Sequence, residues 1–324
     1  MGNAQTIWSR ISGFGLIAFN LLTFTTLVAA ENYPSRAVRF ILPFGPASAT
    51  DITARLFADR LAMRWGKPVV IENRPGGDGL VSVNAFLAAN DDHTLLFGPA
   101  GTFALHRYES TKPPYEAERD LVPVASVSNI ILALSVSPAL NIRSIDQLVA
   151  RARTQPGRLN AAAASGISDF LLFGFFKRSG VDVAKVPYRD ILQAPNDLAE
   201  GRIDILMSSF AVVQPQMQAR GVKVLAVTSR ERPPTAEDIP TVAQAGFPEI
   251  EMESLVGLFA PRVMSDALRE RLAADIAHVF EPAIGARLAH TGQIVRILGP
   301  APFAAGIAAQ RAKLAEIAQA LGIR

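Results

Sequence analysis

No cysteine occurs in this chain of 324 residues. An exported protein of this kind has no disulfides and rests on its core for stability. It also offers no thiol for lipid attachment at a processing site. The four histidines, His93, His106, His278 and His290, show no metal-ligand spacing. There is no Gly-x-Ser-x-Gly elbow, since Ala163-Ala164-Ser165-Gly166 does not make one. The net charge of +3 is spread without a basic block. No basic stripe with interleaved aromatics argues for nucleic acid. After residue 30 no run is long and apolar enough to span a bilayer. Internal repeats and low-complexity tracts are also missing. Asp51, Asp78 and Asp169 are candidate acids or bases, but nothing pairs with them. Asp51 and Asp169 are explained more simply at helix N-termini, where the macrodipole favours a carboxylate.

What the chain does contain begins with an export signal. Arg10 ends a short polar start, 11–28 is apolar or small, and Val28-Ala29-Ala30 precedes Glu31. This pattern reads as a secretory signal peptide, 1–30, cleaved after Ala30. An uncleaved anchor is the competing reading, but Gly13, Gly15 and Asn20 make the run weakly hydrophobic for a spanning helix. A freely diffusing exported protein would be lost from a cell with one membrane, so a periplasm is the expected compartment. The hydrophobic share of 49% supports a sizeable core, and the length is comfortable for two domains.

The remaining chain alternates strand and helix patterns. Strands are expected over 38–42, 68–72, 94–97, 159–163, 183–187, 203–207, 222–228 and 294–298. Helices are expected over 52–65, 80–89, 145–152, 170–178 and 192–200, with two more near the C-terminus. Ser265 caps one of these and Pro300 opens the other. The β-rich stretches 121–127 and 130–136 read as a crossing into a second domain. Residues 250–260 read as an extended return. The first three strands each run into a loop of glycine and small residues. The first loop is Pro43-Phe44-Gly45-Pro46-Ala47-Ser48-Ala49-Thr50-Asp51. The second is Asn73-Arg74-Pro75-Gly76-Gly77-Asp78-Gly79, and the third Gly98-Pro99-Ala100-Gly101-Thr102. In an open parallel sheet such loops share one edge, where ligands bind. The strand–loop–helix geometry aims free N–H groups at a carboxylate or phosphate. Taken alone, the first loop is more simply a tight turn with Ser48 or Thr50 as helix N-cap.

These stretches carry a family resemblance. The run Pro43 to Asp51 resembles the first loop of the Bug family, the periplasmic solute-binding proteins of tripartite tricarboxylate transporters. Glu72-Asn73-Arg74-Pro75-Gly76-Gly77-Asp78-Gly79 is similar to the family's second signature. Val186-Pro187-Tyr188-Arg189, with Asp197-Leu198 and Gly201-Arg202-Ile203-Asp204, resembles its central stretch. Leu225-Ala226-Val227-Thr228-Ser229, with 239–246, and Gly257-Leu258-Phe259-Ala260-Pro261 resemble the last two. Five motifs in order cover essentially the whole mature chain.

The resemblance implies an α/β, two-lobed periplasmic binding protein of type II-like form, each lobe a mixed sheet flanked by helices. Lobe one would be 31–131 with 253–324, and lobe two 132–252. The implied ligand is a small carboxylate held in the cleft without cofactor, metal or catalysis. The implied partner is a membrane permease with a large and a small subunit, the receptor itself being a monomer. The expected ligand contacts are Phe44, Gly45, Ser48, Ala49, Thr50 and Asp51 in the first loop, and Gly76, Gly77 and Asp78 in the second. Thr102 follows the third strand. From the second lobe come Ser165, Gly166, Ser168, Tyr188, Arg189 and Asp190. Arg74 is expected to brace the backbone. Three departures bear on ligand identity: Ala47-Ser48-Ala49 replaces the usual consecutive glycines, Asp190 follows the basic residue, and Leu255-Val256 precedes the last motif. Asp190 fits either a ligand ammonium or hydroxyl, or a capping box with Gln193. A periplasmic sensor feeding a membrane signalling protein would use the same closing fold, and an extracytoplasmic enzyme is the more distant alternative.

Overall fold

A computed structural model of the chain describes residues 33–109, 115–164, 166–188 and 191–322. The signal-peptide reading of 1–30 and the expected contacts Ser165, Arg189 and Asp190 lie outside the described residues.

The first half runs β1 (Val38–Leu42), α1 (Ala49–Trp65), β2 (Val69–Asn73), α2 (Leu80–Ala89), β3 (Thr94–Pro99), α3 (Ala100–Glu109), α4 (Ala117–Asp120), β4 (Val122–Ile130) and β5 (Leu132–Val136). Next come α5 (Ile145–Thr154), β6 (Asn160–Ala163), α6 (Ile167–Arg178), β7 (Ala184–Lys185), α7 (Ala194–Ala199), β8 (Ile205–Ser209), α8 (Phe210–Arg220) and β9 (Lys223–Val227). The chain closes with β10 (Ser254–Ala260), α9 (Asp266–His278), α10 (Pro282–His290), β11 (Gln293–Leu298) and α11 (Pro300–Leu321).

Two mixed sheets result. One has the order β11-β4-β10-β3-β1-β2 and the other β7-β6-β8-β5-β9. In the first, β1, β2 and β3 run parallel, while β10 is antiparallel to both β3 and β4. In the second, β6 and β8 run parallel and β5 is antiparallel to β8. The chain passes between sheets twice, at Ile131 and at 228–253, so each lobe is flanked by helices on both faces.

The apolar periodicity of each element is spent in these layers. Ala54, Phe57, Ala58 and Leu61 of α1 pack on one face of the first sheet with Leu272 and Ile276 of α9. Phe86 of α2, Phe103 of α3 and Phe303 of α11 cover the other face. In the second lobe, Leu148, Leu171 and Phe175 lie on one face, and Leu198, Phe210 and Val213 on the other. Helix α11 does not stay with one sheet: Phe303 belongs to the first core, whereas Leu314 and Ile317 pack into the second. At 22 residues it is about 33 Å long, enough to reach across both lobes. Gly174 of α6 lets it approach, because a Cβ there would lie 2.3 Å from Ile317.

Four helices depart from the sequence pattern, the shortest being α4. The expected loop 98–102 is absent as a loop: β3 continues to Pro99 and α3 starts at Ala100. Helix α8 carries Pro215 in its interior, and α10 is a short helix opened by Pro282. The strand expected over 183–187 shrinks to β7, two exposed residues at the sheet edge.

Candidate functional site

Loop one is built around Ser48 and Asp51. Ser48 is extended (φ −65°, ψ 158°) and its Oγ accepts the Asp51 N–H at 3.2 Å, capping α1. Ala47 stands at φ 66°, a left-handed conformation that costs an L-residue energy. The Asp51 carboxylate holds it there, accepting the Ala47 N–H at 2.9 Å. The same carboxylate accepts Arg55 Nε and Nη2, both at 3.0 Å, and Asn73 Nδ2 at 2.9 Å. Asn73 Nδ2 also donates to Phe44 O at 2.8 Å. Burial pushes the Asp51 carboxyl up, but the bonds from Arg55, Asn73 and Ala47 outweigh it and hold it below the usual carboxylate range. Asp51 therefore fixes the loop from behind. The N–H groups of Phe44, Gly45, Ala49 and Thr50 find no acceptor among the described residues.

Loop two has four successive residues at positive φ: Gly76 (125°), Gly77 (53°), Asp78 (50°) and Gly79 (104°). Three glycines adopt this path freely, while Asp78 is the kind of short polar residue that tolerates it. The N–H groups of Gly77 and Asp78 have no acceptor among the described residues, and the Asp78 side chain is exposed. A Cβ on Gly79 would meet Thr102 Cγ2 at 3.2 Å and Pro43 Cβ at 3.3 Å. Loop one, loop two and the start of α3 are thus in contact. The exposed Arg74 side chain donates Nε to Glu72 Oε1 at 2.6 Å, and the backbone N–H of Arg74 donates to Leu42 O at 2.8 Å, so among the described residues the guanidinium meets a neighbouring carboxylate and not the loop backbone.

The second lobe brings α6 to the same place. Gly166 (φ 78°) precedes the helix, and the Ile167 and Ser168 N–H groups have no acceptor among the described residues. Asp169, in the first turn, is paired with Lys185 at 2.7 Å. A Cβ on Gly101 of α3 would fall 1.7 Å from Ile167 Cδ1, and one on Gly166 would lie 3.7 Å from Leu105 Cδ1. The N-termini of α3 and α6, from different lobes, therefore abut. Tyr188 is half-buried and turned to its own lobe: its hydroxyl donates to Asp197 Oδ2 at 2.5 Å. Burial and the Asp197 carboxylate push that phenol up to about 12.

Four residues escaped the sequence reading. Asn73, inside a motif, joins loop one to Asp51. Ser209 ends β8 at the start of α8, and its buried Oγ has no partner among the described residues. The pattern of a strand followed by a small residue matched Ser48, but Pro215 hid the helix behind it. Gln293 joins α1 to β4, with Nε2 on Thr53 Oγ1 at 2.9 Å and Oε1 accepting Ser128 Oγ at 2.6 Å. His106 lies behind loop two, with Nε2 3.0 Å from Asp78 O. No local pattern marks either of the last two.

Several cavities lie elsewhere, two of them large and lined by charged side chains. One, of 540 Å³, is lined by Arg230, Glu251, Glu253, Arg296 and α11, and the other, of 790 Å³, by Tyr33, Arg64, Trp65, Arg271 and Asp275. Their ion pairs, Arg230–Glu251 at 3.2 Å, Arg296–Glu253 at 3.0 Å and Arg64–Asp275 at 2.6 Å, already engage much of the charged lining. The loop ends instead present, among the described residues, several unengaged N–H groups from both lobes, which marks them as the candidate site.

Comparison with known proteins agrees with this architecture. The family model described as tripartite tricarboxylate transporter family receptor matches residues 53–323. A protein from Pseudomonas sp. strain P51, named for the tcbD-tcbE intergenic region, is 34% identical over 250 residues, 76% of this chain and 74% of its own. Among solved structures, Rpa4515 of Rhodopseudomonas palustris with adipate superposes with a TM-score of 0.77 at 27% identity, covering 90% of this chain and 99% of that one. MatC from the same organism with bound malate gives 0.74 at 26% identity, covering 88% and 99%. With its two mixed sheets, the match across most of its length and these neighbours, this chain belongs to the tripartite tricarboxylate transporter receptor family, a family of periplasmic solute-binding proteins.

Proposed function

We propose that the protein captures one small carboxylate between its lobes and delivers it to a membrane permease with a large and a small subunit. The observation carrying this reading is the convergence of N–H groups without acceptors from loop one, loop two and the start of α6. Helix N-termini and backbone nests favour an anion at such a point. The two related structures named with adipate and malate support the same class of ligand. Ser48 caps with its oxygen and keeps its hydroxyl proton for a ligand. The lobes, 31–131 with 253–324 against 132–252, would close about the crossings near Ile131 and Glu253. We read the site as one of binding without turnover, because Asp51 is engaged in the loop and the exposed Asp78 carboxylate has no partner base among the described residues. The reading of residues 1–30 as a cleaved signal peptide supports a periplasmic location for this activity, and we take the receptor to act as a monomer.

A thermal-shift screen of di- and tricarboxylates, acidic amino acids and aromatic acids, with malate and adipate among them, should find a ligand. At one hundred times Kd it should add about 2.7 kcal/mol of stability. Ala49→Pro then tests the site. Proline suits the first helical position and Ser48 is already extended, so the change removes one N–H and little else. Affinity should fall roughly tenfold or more, as for a hydrogen bond to a charged group. Full affinity in that variant, or conversion of the bound acid by pure protein, would overturn the reading.

A further inference from the structure

His106 is buried, at 2% exposure, directly behind loop two. Its Nε2 lies 3.0 Å from the Asp78 carbonyl oxygen and its Nδ1 2.6 Å from Tyr115 Oη. Tyr115 Oη in turn lies 2.9 Å from Phe103 O. A carbonyl oxygen only accepts, so Nε2 carries a proton in every state that keeps the loop contact. Nδ1 has two ways to be satisfied. Bare, it accepts the Tyr115 O–H. Protonated, it donates to Tyr115 Oη, and the tyrosine proton swings to Phe103 O. The ring can therefore gain a proton through rotation of one hydroxyl, with no contact to the loop broken.

The loop it supports is the one that offers N–H groups to the anion. Asp78 presents its carbonyl to His106 and its N–H among the groups without acceptors, so a charge on the ring stands one residue from the ligand contact. Among the described residues, the other titratable groups around the ring are few. Tyr115 touches it, the Asp78 carboxylate is exposed, and Arg107, Glu116, Glu118 and Arg311 line the crevice beside it. Glu118 is engaged by Arg311 at 2.8 Å and Arg107 at 3.5 Å.

Building on the carboxylate reading, we propose that His106 is a positioning residue that holds loop two by its Asp78 carbonyl and takes up a proton when an anion binds there. An anion favours the charged ring, so, as long as the acid itself stays ionised, binding takes up a proton and weakens as pH rises. The same coupling selects for charged acids over their neutral amides or esters.

Two measurements test this. In the ligand-free protein, nitrogen-15 NMR of His106 should show the Nε2-protonated tautomer at high pH; the Nδ1-protonated tautomer would overturn the proposal. Calorimetry with malate and adipate between about pH 5 and 8, in buffers of different ionisation enthalpy, should show proton uptake and about a tenfold loss of affinity with rising pH. His106→Gln keeps a donor for Asp78 O and should bind with the weaker, pH-independent affinity. Tyr115→Phe cannot accept from Nδ1 and should also flatten the profile, so a folding defect in one variant leaves the other decisive. Binding without proton uptake in the wild type would overturn the role of His106 and leave the carboxylate reading standing. Failure of every acid in the screen to bind would overturn the carboxylate reading, and this inference with it.

Discussion

Replacing Asp51 should cost more than its place beside a ligand loop implies, because its work is structural. Asp51→Asn keeps the size but sets an NH₂ group against the donors of Ala47, Asn73 and Arg55, which the carboxylate now satisfies together. Hydrogen bonds to a charged acceptor are worth about 1.5–3 kcal/mol each. Arg55 is half exposed, with 51% of its side chain accessible, so water replaces most of its share. The Ala47 and Asn73 bonds remain, less the one that the amide oxygen recovers, which leaves a loss of about 1.5–3 kcal/mol. Urea unfolding at pH 7 should show a lower midpoint with unchanged slope. The pH dependence gives a second check. The Asp51 carboxyl is held below its usual range in the folded state, so its contribution is present above the unfolded value of about 3.9 and is lost as pH falls through the folded value. The gap between wild type and Asp51→Asn should therefore close on acidification. A gap below about 0.5 kcal/mol at pH 7, within the range of ordinary surface substitutions, would refute the brace.

Two further substitutions probe the same site. Ala47→Gly relieves the left-handed strain at φ 66°, offset by the entropy of glycine in the unfolded chain, and should raise stability by about 0.5–1 kcal/mol in urea unfolding. An equal loss would show that Ala47 is not strained. Gly101→Ala puts a methyl 1.7 Å from Ile167 Cδ1 and 2.9 Å from Gln310 Nε2, so it should wedge the lobes apart. We expect a loss of about 1–3 kcal/mol in stability and a larger radius of gyration by small-angle scattering, with no change in either if the lobes do not meet there in solution.

Much of the fold was legible because local rules and tertiary structure agree. The apolar run Val38–Leu42 is a strand, Leu80–Ala89 is a helix with the expected bounds, and Gly66 stops α1 in the left-handed conformation. Ser48 and Ser265 cap helices as their residue type and position require. Where helices were missed, proline or glycine stood in the way. Pro99 and Gly101 made the start of α3 look like a loop, and Pro215 interrupted the pattern of α8, yet packing of Phe103 and Phe210 keeps both helices. Tertiary burial outweighed a local propensity in each case.

By itself, then, the sequence determined most of the alternation of strands and helices, the small-residue loops after the first two strands and the serine caps of α1 and α9. Each of these depends on neighbours within a few positions. Only the tertiary structure decided which groups those loops leave free and which they consume. The Asp51 carboxylate turns inward because Asn73, 22 positions on, and Arg55 meet it there. Gln293 ties α1 from 240 positions away, and His106 reaches the Asp78 carbonyl across 28. The α3 and α6 N-termini abut because Gly101 has no side chain to hold Ile167 off. A hydrogen bond or close approach of this kind is fixed by the packing of two sheets, which no periodicity along one segment records.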